Sequence, residues 1–202
     1  MKDLTSTLFK VSSEIFAPVA GRFIIAEPFL REPFFTHSVV SIIDYLPEEG
    51  ATGVVLNNAT EYHLADLLEG VRPESNVPVF CGGPTGQDRL FFIHTLGPDI
   101  ITDARPYGDG IYVGGSFDDV VEYVNDGYQT EGTIRFFLGH SNWADGQLER
   151  EIEHGKWVCM PDCASFADVV KGRGDSSWHN AVRQLGEDYR SWQLLPRNAA
   201  CN

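Results

Sequence analysis

Gly139-His140-Ser141-Asn142-Trp143 carries the residue types of a nucleophile elbow, with a hydroxyl at the bend between an apolar run and a polar, helix-like segment. An elbow of the G-x-S-x-G kind needs a second glycine after the serine, because the sharp turn leaves no room for a side chain. Trp143 stands in that place. Ser141 and the thiol of Cys81 remain nucleophile candidates, with His94 or His140 as base, and a hydrolase or transferase built on them is one reading of the chain. Distance between these groups, rather than their order, decides that reading.

Gly82-Gly83-Pro84-Thr85-Gly86-Gln87 follows an apolar run and is rich enough in glycine to turn backbone N–H groups toward an anion. It lacks the Gly-Lys-Ser/Thr ending that supplies a phosphate-pairing cation and a magnesium-binding hydroxyl. A tight turn with Pro84 fixing φ is the plainer account. The six histidines, His37, His63, His94, His140, His154 and His179, show no H-E-x-x-H motif. Glu149, Glu151, Glu153 and His154 resemble a ligand set in composition only. Successive helix positions point in different directions, and a solvated face is expected there. Cys159 and Cys163 flank Met160-Pro161-Asp162, which is not the CxxC spacing of a redox pair, and no second pair completes a zinc site. With Cys81 and Cys201 they read as thiols, and neither a metal nor a cofactor is expected.

The elements that must position these groups follow from hydrophobic period. Arg22 to Ala26, Ser38 to Tyr45, Gly53 to Asn57, Val77 to Cys81, Arg89 to Thr95, Ile111 to Val113 and Thr133 to Leu138 read as strands. Pro47-Glu48-Glu49-Gly50 is turn chemistry joining two of them in a hairpin. A helix is expected from Thr60 to Gly70 with Leu64, Leu67, Leu68 and Val71 inward, and another after Ser116, whose pairing with Asp119 resembles a capping box. A third follows Asp145 with Leu148 and Ile152 inward and Glu151 outward, and a fourth spans Ser176 to Leu185 with Trp178 and Val182 buried and Gly186 as its stop. Hairpin-length connections predict a mostly antiparallel α+β fold. The 202 residues suit a single domain over 1–202, with residues 1–20 as a leading helix or an arm.

Bulk properties narrow the partners. A net charge of −14 with scattered Lys and Arg, only Lys171 and Arg173 lying close together, repels a phosphate backbone, so direct nucleic-acid binding is not expected. No apolar run reaches the roughly 20 residues of a membrane helix and no export signal opens the chain, so a cytoplasmic protein without membrane contact is expected. Asn57, Gly82, Gly83, His94 and the stretch from His140 through Ser141 and Trp143 to Gln147 fall at ends of expected strands. Convergent N–H groups and polar side chains there would form a binding site for a small molecule or a protein partner. A regulatory or ligand-sensing domain is the leading reading. Purely architectural glycines and tryptophans are the third.

GRFIIAEPFL (Gly21 to Leu30), PFFTHSVV (Pro33 to Val40), GATGVVLN (Gly50 to Asn57), VPVFCGGP (Val77 to Pro84), FFIH (Phe91 to His94) and LGHSNWADGQLERE (Leu138 to Glu151), with Trp157 and Trp178 beyond, occur in an order and spacing that resembles the YqgE/AlgH family of bacterial proteins. The resemblance spans nearly the whole chain after residue 20. It implies a compact α+β domain whose bifurcated, partly barrel-like sheet is surrounded by helices. One branch of the family is named for a proposed role in transcriptional regulation of alginate synthesis, which implies a regulatory function. Where family members commonly read Asn-Arg-Pro, this chain has Asn57-Asn58-Ala59, so an anion bound by that arginine would lose its cation here.

Overall fold

A computed structural model describes the protein over residues 17–161, 166–169 and 174–195. Most of the helix or arm expected at 1–20 lies outside those residues, as do Cys163, Lys171, Arg173 and Cys201. Among the described residues ten strands form one sheet: β1 (Phe23–Ala26), β2 (Val39–Leu46), β3 (Gly50–Val55), β4 (Ala59–His63), β5 (Pro78–Cys81), β6 (Thr85–His94), β7 (Arg105–Gly108), β8 (Ile111–Val113), β9 (Ile134–Trp143) and β10 (Trp157–Cys159). Five helices pack on it: α1 (Leu64–Leu67), α2 (Phe117–Asn125), α3 (Gln147–Glu153), α4 (Phe166–Val169) and α5 (Asp175–Gln184).

Strand pairing is antiparallel except between β5 and β9. The hydrogen-bonded path runs β10-β1-β2-β3-β9-β6-β8-β7 without closing. Its far end folds back on β2, where the Tyr107 and Ser41 hydroxyls meet at 3.0 Å. The sheet forks on β9. One edge of that strand takes β6, while the other takes β5 along Phe136 to Leu138 and then β3 along Ser141 to Trp143. Gly82 sits in the crotch: its N–H donates to Leu138 O and its carbonyl accepts from Val55 N, both at 2.9 Å. A Cβ on Gly82 would lie 2.2 Å from Gly139 O, so only glycine lets three strands approach there.

Alternating side chains of the central strands are buried on both faces, which is why these strands read as continuous apolar runs rather than half-polar ones. Phe23, Ile25, Val39, Val54, Phe80 and Phe137 join Trp178, Ala181 and Val182 of α5 in one core. Ile24, Val40, Ile42 and Val55 on the opposite face pack with Leu148 and Ile152 of α3 and with Trp143 and Trp157. Val79, Phe92 and Phe136 pack with Leu64 of α1 and with Val120 and Val124 of α2.

The hairpin at 47–50 forms as expected, with Leu46 opposite Gly50. Ser116 caps α2 by accepting from Asp119 N at 3.2 Å. The helix expected from Thr60 to Gly70 forms only over Leu64–Leu67, and Leu67, expected inward, is exposed. Residues Ala59–His63 instead pair with β5, and the Thr60 hydroxyl donates to Val79 O at 2.7 Å. An open edge on β5 satisfies that backbone better than one further helical turn would, and β-branched Thr60 suits the strand.

Candidate functional site

Asn57, just beyond β3, is buried and ties three segments together. Its Oδ1 accepts from Val39 N at 2.9 Å, and its Nδ2 donates to both His37 O and Gly174 O at 2.8 Å. Its own carbonyl accepts from Gly174 N at 2.9 Å. Only an amide offers an acceptor and two donors from one planar group, so this joint requires asparagine rather than aspartate. The joint sets the start of α5 against the loop that precedes β2.

His37 on that loop holds a left-handed backbone, φ 51°, which costs a non-glycine residue about 1–2 kcal/mol. Its ring is stacked on Trp178 of α5, centroids 3.9 Å apart and planes within 9°. Its Nδ1 lies 2.5 Å from Asp175 Oδ1, and the other oxygen of that carboxylate, Oδ2, lies 3.2 Å from His179 Nε2. Asp175 and His179 are four residues apart on one face of α5. The side chains grade from interior to solvent: His37 is 0 % exposed, His179 24 % and Asp175 39 %. Among the described residues these are three groups whose ligating atoms all lie within 4.8 Å of one another. Two imidazoles sharing one carboxylate can pass or hold a proton, or can chelate a cation.

The residues singled out from the sequence fall in four places. Asn57 belongs to the joint just described. Gly82, Gly83, His140 and Ser141 meet at the sheet fork, where a Cβ on Gly83 would lie 2.3 Å from His140 O. The Ser141 hydroxyl is buried there and donates to Gly82 O at 3.3 Å. Cys81 lies on the same strand end, its Sγ donating to Gly83 O at 3.6 Å and accepting from Gln87 Nε2 at 3.6 Å. His94 sits apart, stacked with Tyr112, its Nε2 3.1 Å from Gly114 O and its Nδ1 accepting from Leu96 N at 3.3 Å. Burial pushes His94 below the usual imidazole range, with the Gly114 carbonyl opposing the shift.

Trp143 and Gln147 form the fourth place, around Glu151. The expectation that Glu151 faces solvent is corrected: its side chain is 15 % exposed. It accepts from Trp143 Nε1 at 3.0 Å, Gln147 Nε2 at 3.0 Å and Trp157 Nε1 at 2.8 Å, with Lys156 Nζ 3.6 Å away. Burial raises its pKa, but those donors and the lysine outweigh it and hold the carboxyl below its ordinary value. The two indole N–H groups over this helix turn find their acceptor in Glu151, whose carboxylate makes the stronger, charge-assisted bonds and turns inward to make them. The Cys159 thiol nearby is pushed up to about 12 by burial, with Arg22 opposing, which makes it an inert core group.

Sequence reasoning missed the His37, Asp175 and His179 cluster. Asp175 and His179 carried a legible i,i+4 signal, but starting the helix at Ser176 left Asp175 outside it. His37 lies 138 residues from Asp175, a separation that no local pattern spans. Two surface depressions elsewhere, of about 220 Å³ beside Trp143 and about 200 Å³ beside Arg135, fall below the roughly 300 Å³ at which organic-ligand pockets begin. Among the described residues no helix is long and apolar enough to cross a membrane.

A family model described as DUF179, AlgH-like, matches residues 23–190. A UPF0301 protein of Parabacteroides distasonis is 34% identical over 195 residues, covering 96% of this chain and 97% of its own. One from Cytophaga hutchinsonii is 34% identical over 183 residues, covering 90% of this chain and 98% of its own. The crystal structure of a Corynebacterium diphtheriae protein superposes with a TM-score of 0.73 at 22% identity, covering 90% of this chain and 95% of its own, a likeness of fold. The solution structure of the AlgH protein from Pseudomonas aeruginosa superposes with a TM-score of 0.65 at 26% identity, covering 87% and 94% respectively.

Proposed function

The chain belongs to the AlgH-like family, and from that premise we propose that it is a non-enzymatic, ligand-sensing regulatory domain of the cytoplasm whose ligand site is the His37, Asp175 and His179 cluster. The observation that supports this most is the Asn57 joint. One side chain fixes the His37 carbonyl and the Gly174 carbonyl next to Asp175, so the two halves of the cluster are held in register by a group that touches neither ring. A ligand gripping both His37 and Asp175 would tie α5 to the sheet, and its loss would loosen the same helix.

Groups with nucleophilic chemistry give less support to a hydrolase or transferase. Ser141 is 1 % exposed with its hydroxyl on a backbone carbonyl, and both ring nitrogens of His94 are engaged with backbone. Neither arrangement leaves a base beside a reactive oxygen.

Thermal-shift screening of the native chain and of Asp175→Asn against nucleotides, phosphorylated metabolites, acyl compounds and divalent cations tests the proposal. A compound that raises the melting temperature of the native chain by about 4 °C, and leaves Asp175→Asn unmoved, is the expected result, corresponding to roughly 2 kcal/mol for a chain of this size. Equal shifts in both chains, or none with any class, would remove the cluster as the sensing site.

A further inference from the structure

Within the reading of this cluster as the ligand site, we infer that the ligand is a divalent transition-metal ion of the zinc class, held by His37 Nδ1, one or both oxygens of Asp175, and His179 Nε2. Two imidazole nitrogens and a carboxylate are a donor set that selects zinc-like ions over calcium and magnesium, which prefer oxygen. Oxygen-rich sites of six or more ligands have no counterpart in this trio.

The spacing agrees with the chemistry. Ligands bonded at about 2.05 Å around a tetrahedral ion lie about 3.3 Å from one another. His179 Nε2 and Asp175 Oδ2 are 3.2 Å apart. His37 Nδ1 and Asp175 Oδ1 are 2.5 Å apart and must open by about 0.8 Å, a movement available to a carboxylate at the partly exposed first position of α5. Three protein ligands leave a fourth position toward solvent, where Asp175 and His179 are partly exposed, so a water or a small anion completes the shell.

The support around the trio is what a metal requires and an incidental ion pair does not. The His37 ring is clamped against Trp178, and its carbonyl is fixed by Asn57. The same amide fixes the Gly174 carbonyl beside Asp175, so two ligands from distant segments share one orienting group. His37 keeps a left-handed backbone although it is strained, and its ring lies against Trp178 of α5. A net charge of −14 raises the local concentration of cations over the whole surface.

The test is calorimetric titration of the untagged, reduced full-length chain with zinc chloride, alongside visible absorption of the cobalt(II) form. One ion per chain is expected, with cobalt bands of a low-symmetry nitrogen and oxygen site. Affinity should fall by about 100-fold in His179→Ala and in Asp175→Asn, and by about 10-fold in Asn57→Ala, which removes only the orienting amide. Asp175→Asn and His179→Ala alter partly exposed side chains, and their far-ultraviolet circular dichroism should match the native chain. Absence of binding, affinity unchanged in both ligand variants, or a thiolate-to-cobalt charge-transfer band would overturn the assignment. If an organic compound shifts the native chain and not Asp175→Asn while zinc does nothing, the metal assignment falls and the sensing site stands.

Discussion

Asn57 and Glu151 each gather three polar partners into an otherwise apolar interior, but their physics differs. The sequence marks Asn57 because a polar residue follows an apolar strand, but its partners His37 and Gly174 are set by tertiary contact alone and carry no local signal. The charged neighbours Glu149, Arg150 and Glu153 predict a solvated face for Glu151, whereas the two indoles that bind it belong to different strands and leave no local signal. Its carboxyl is held below the ordinary range by those donors, so its stabilisation is present above about pH 4.3 and is lost as pH falls through the lower folded value. Glu151→Gln should therefore destabilise the protein by about 1–3 kcal/mol at pH 7, and the difference should shrink below about pH 4. Urea melts of both chains across that range measure it. A difference independent of pH would show that charge is irrelevant at this position.

The β-runs were legible because both sheet faces are covered, and α5 was legible from Trp178 and Val182 at helical spacing. β4 was not, since Ala59–His63 forms a strand only because β5 has an edge to fill. The fork on β9 was not legible either. Its sign in the sequence was the pair Gly82-Gly83, which read equally as a turn or a phosphate cradle, and the difference lies in how closely Gly139 and His140 approach them. Gly82→Ala should cost more than about 3 kcal/mol, because its Cβ meets a backbone oxygen at 2.2 Å where no side chain can yield. Gly127→Ala serves as the control: φ is 78° with nothing within 4 Å of the added carbon, so only the left-handed backbone costs, about 1 kcal/mol. Denaturant midpoints of the two variants decide it, and comparable losses would mean that the fork tolerates a side chain.

At the scale of the molecule, the three cores share strands. Val39 and Val40, Val54 and Val55, and Phe136 and Phe137 send adjacent side chains to opposite faces, which couples every helix to one sheet. α5 is joined to that sheet by a polar hinge at its start, through Asn57 and Gly174, as well as by an apolar face, and this hinge is where a bound ligand would be felt. Hydrogen exchange in the native chain and in Asn57→Ala reads that coupling directly. Loss of about 2 kcal/mol at the joint should speed exchange of the α5 amides roughly thirtyfold while those of β9 and β6 keep their rates. Equal acceleration across the whole sheet, or α5 amides that do not change, would contradict the account.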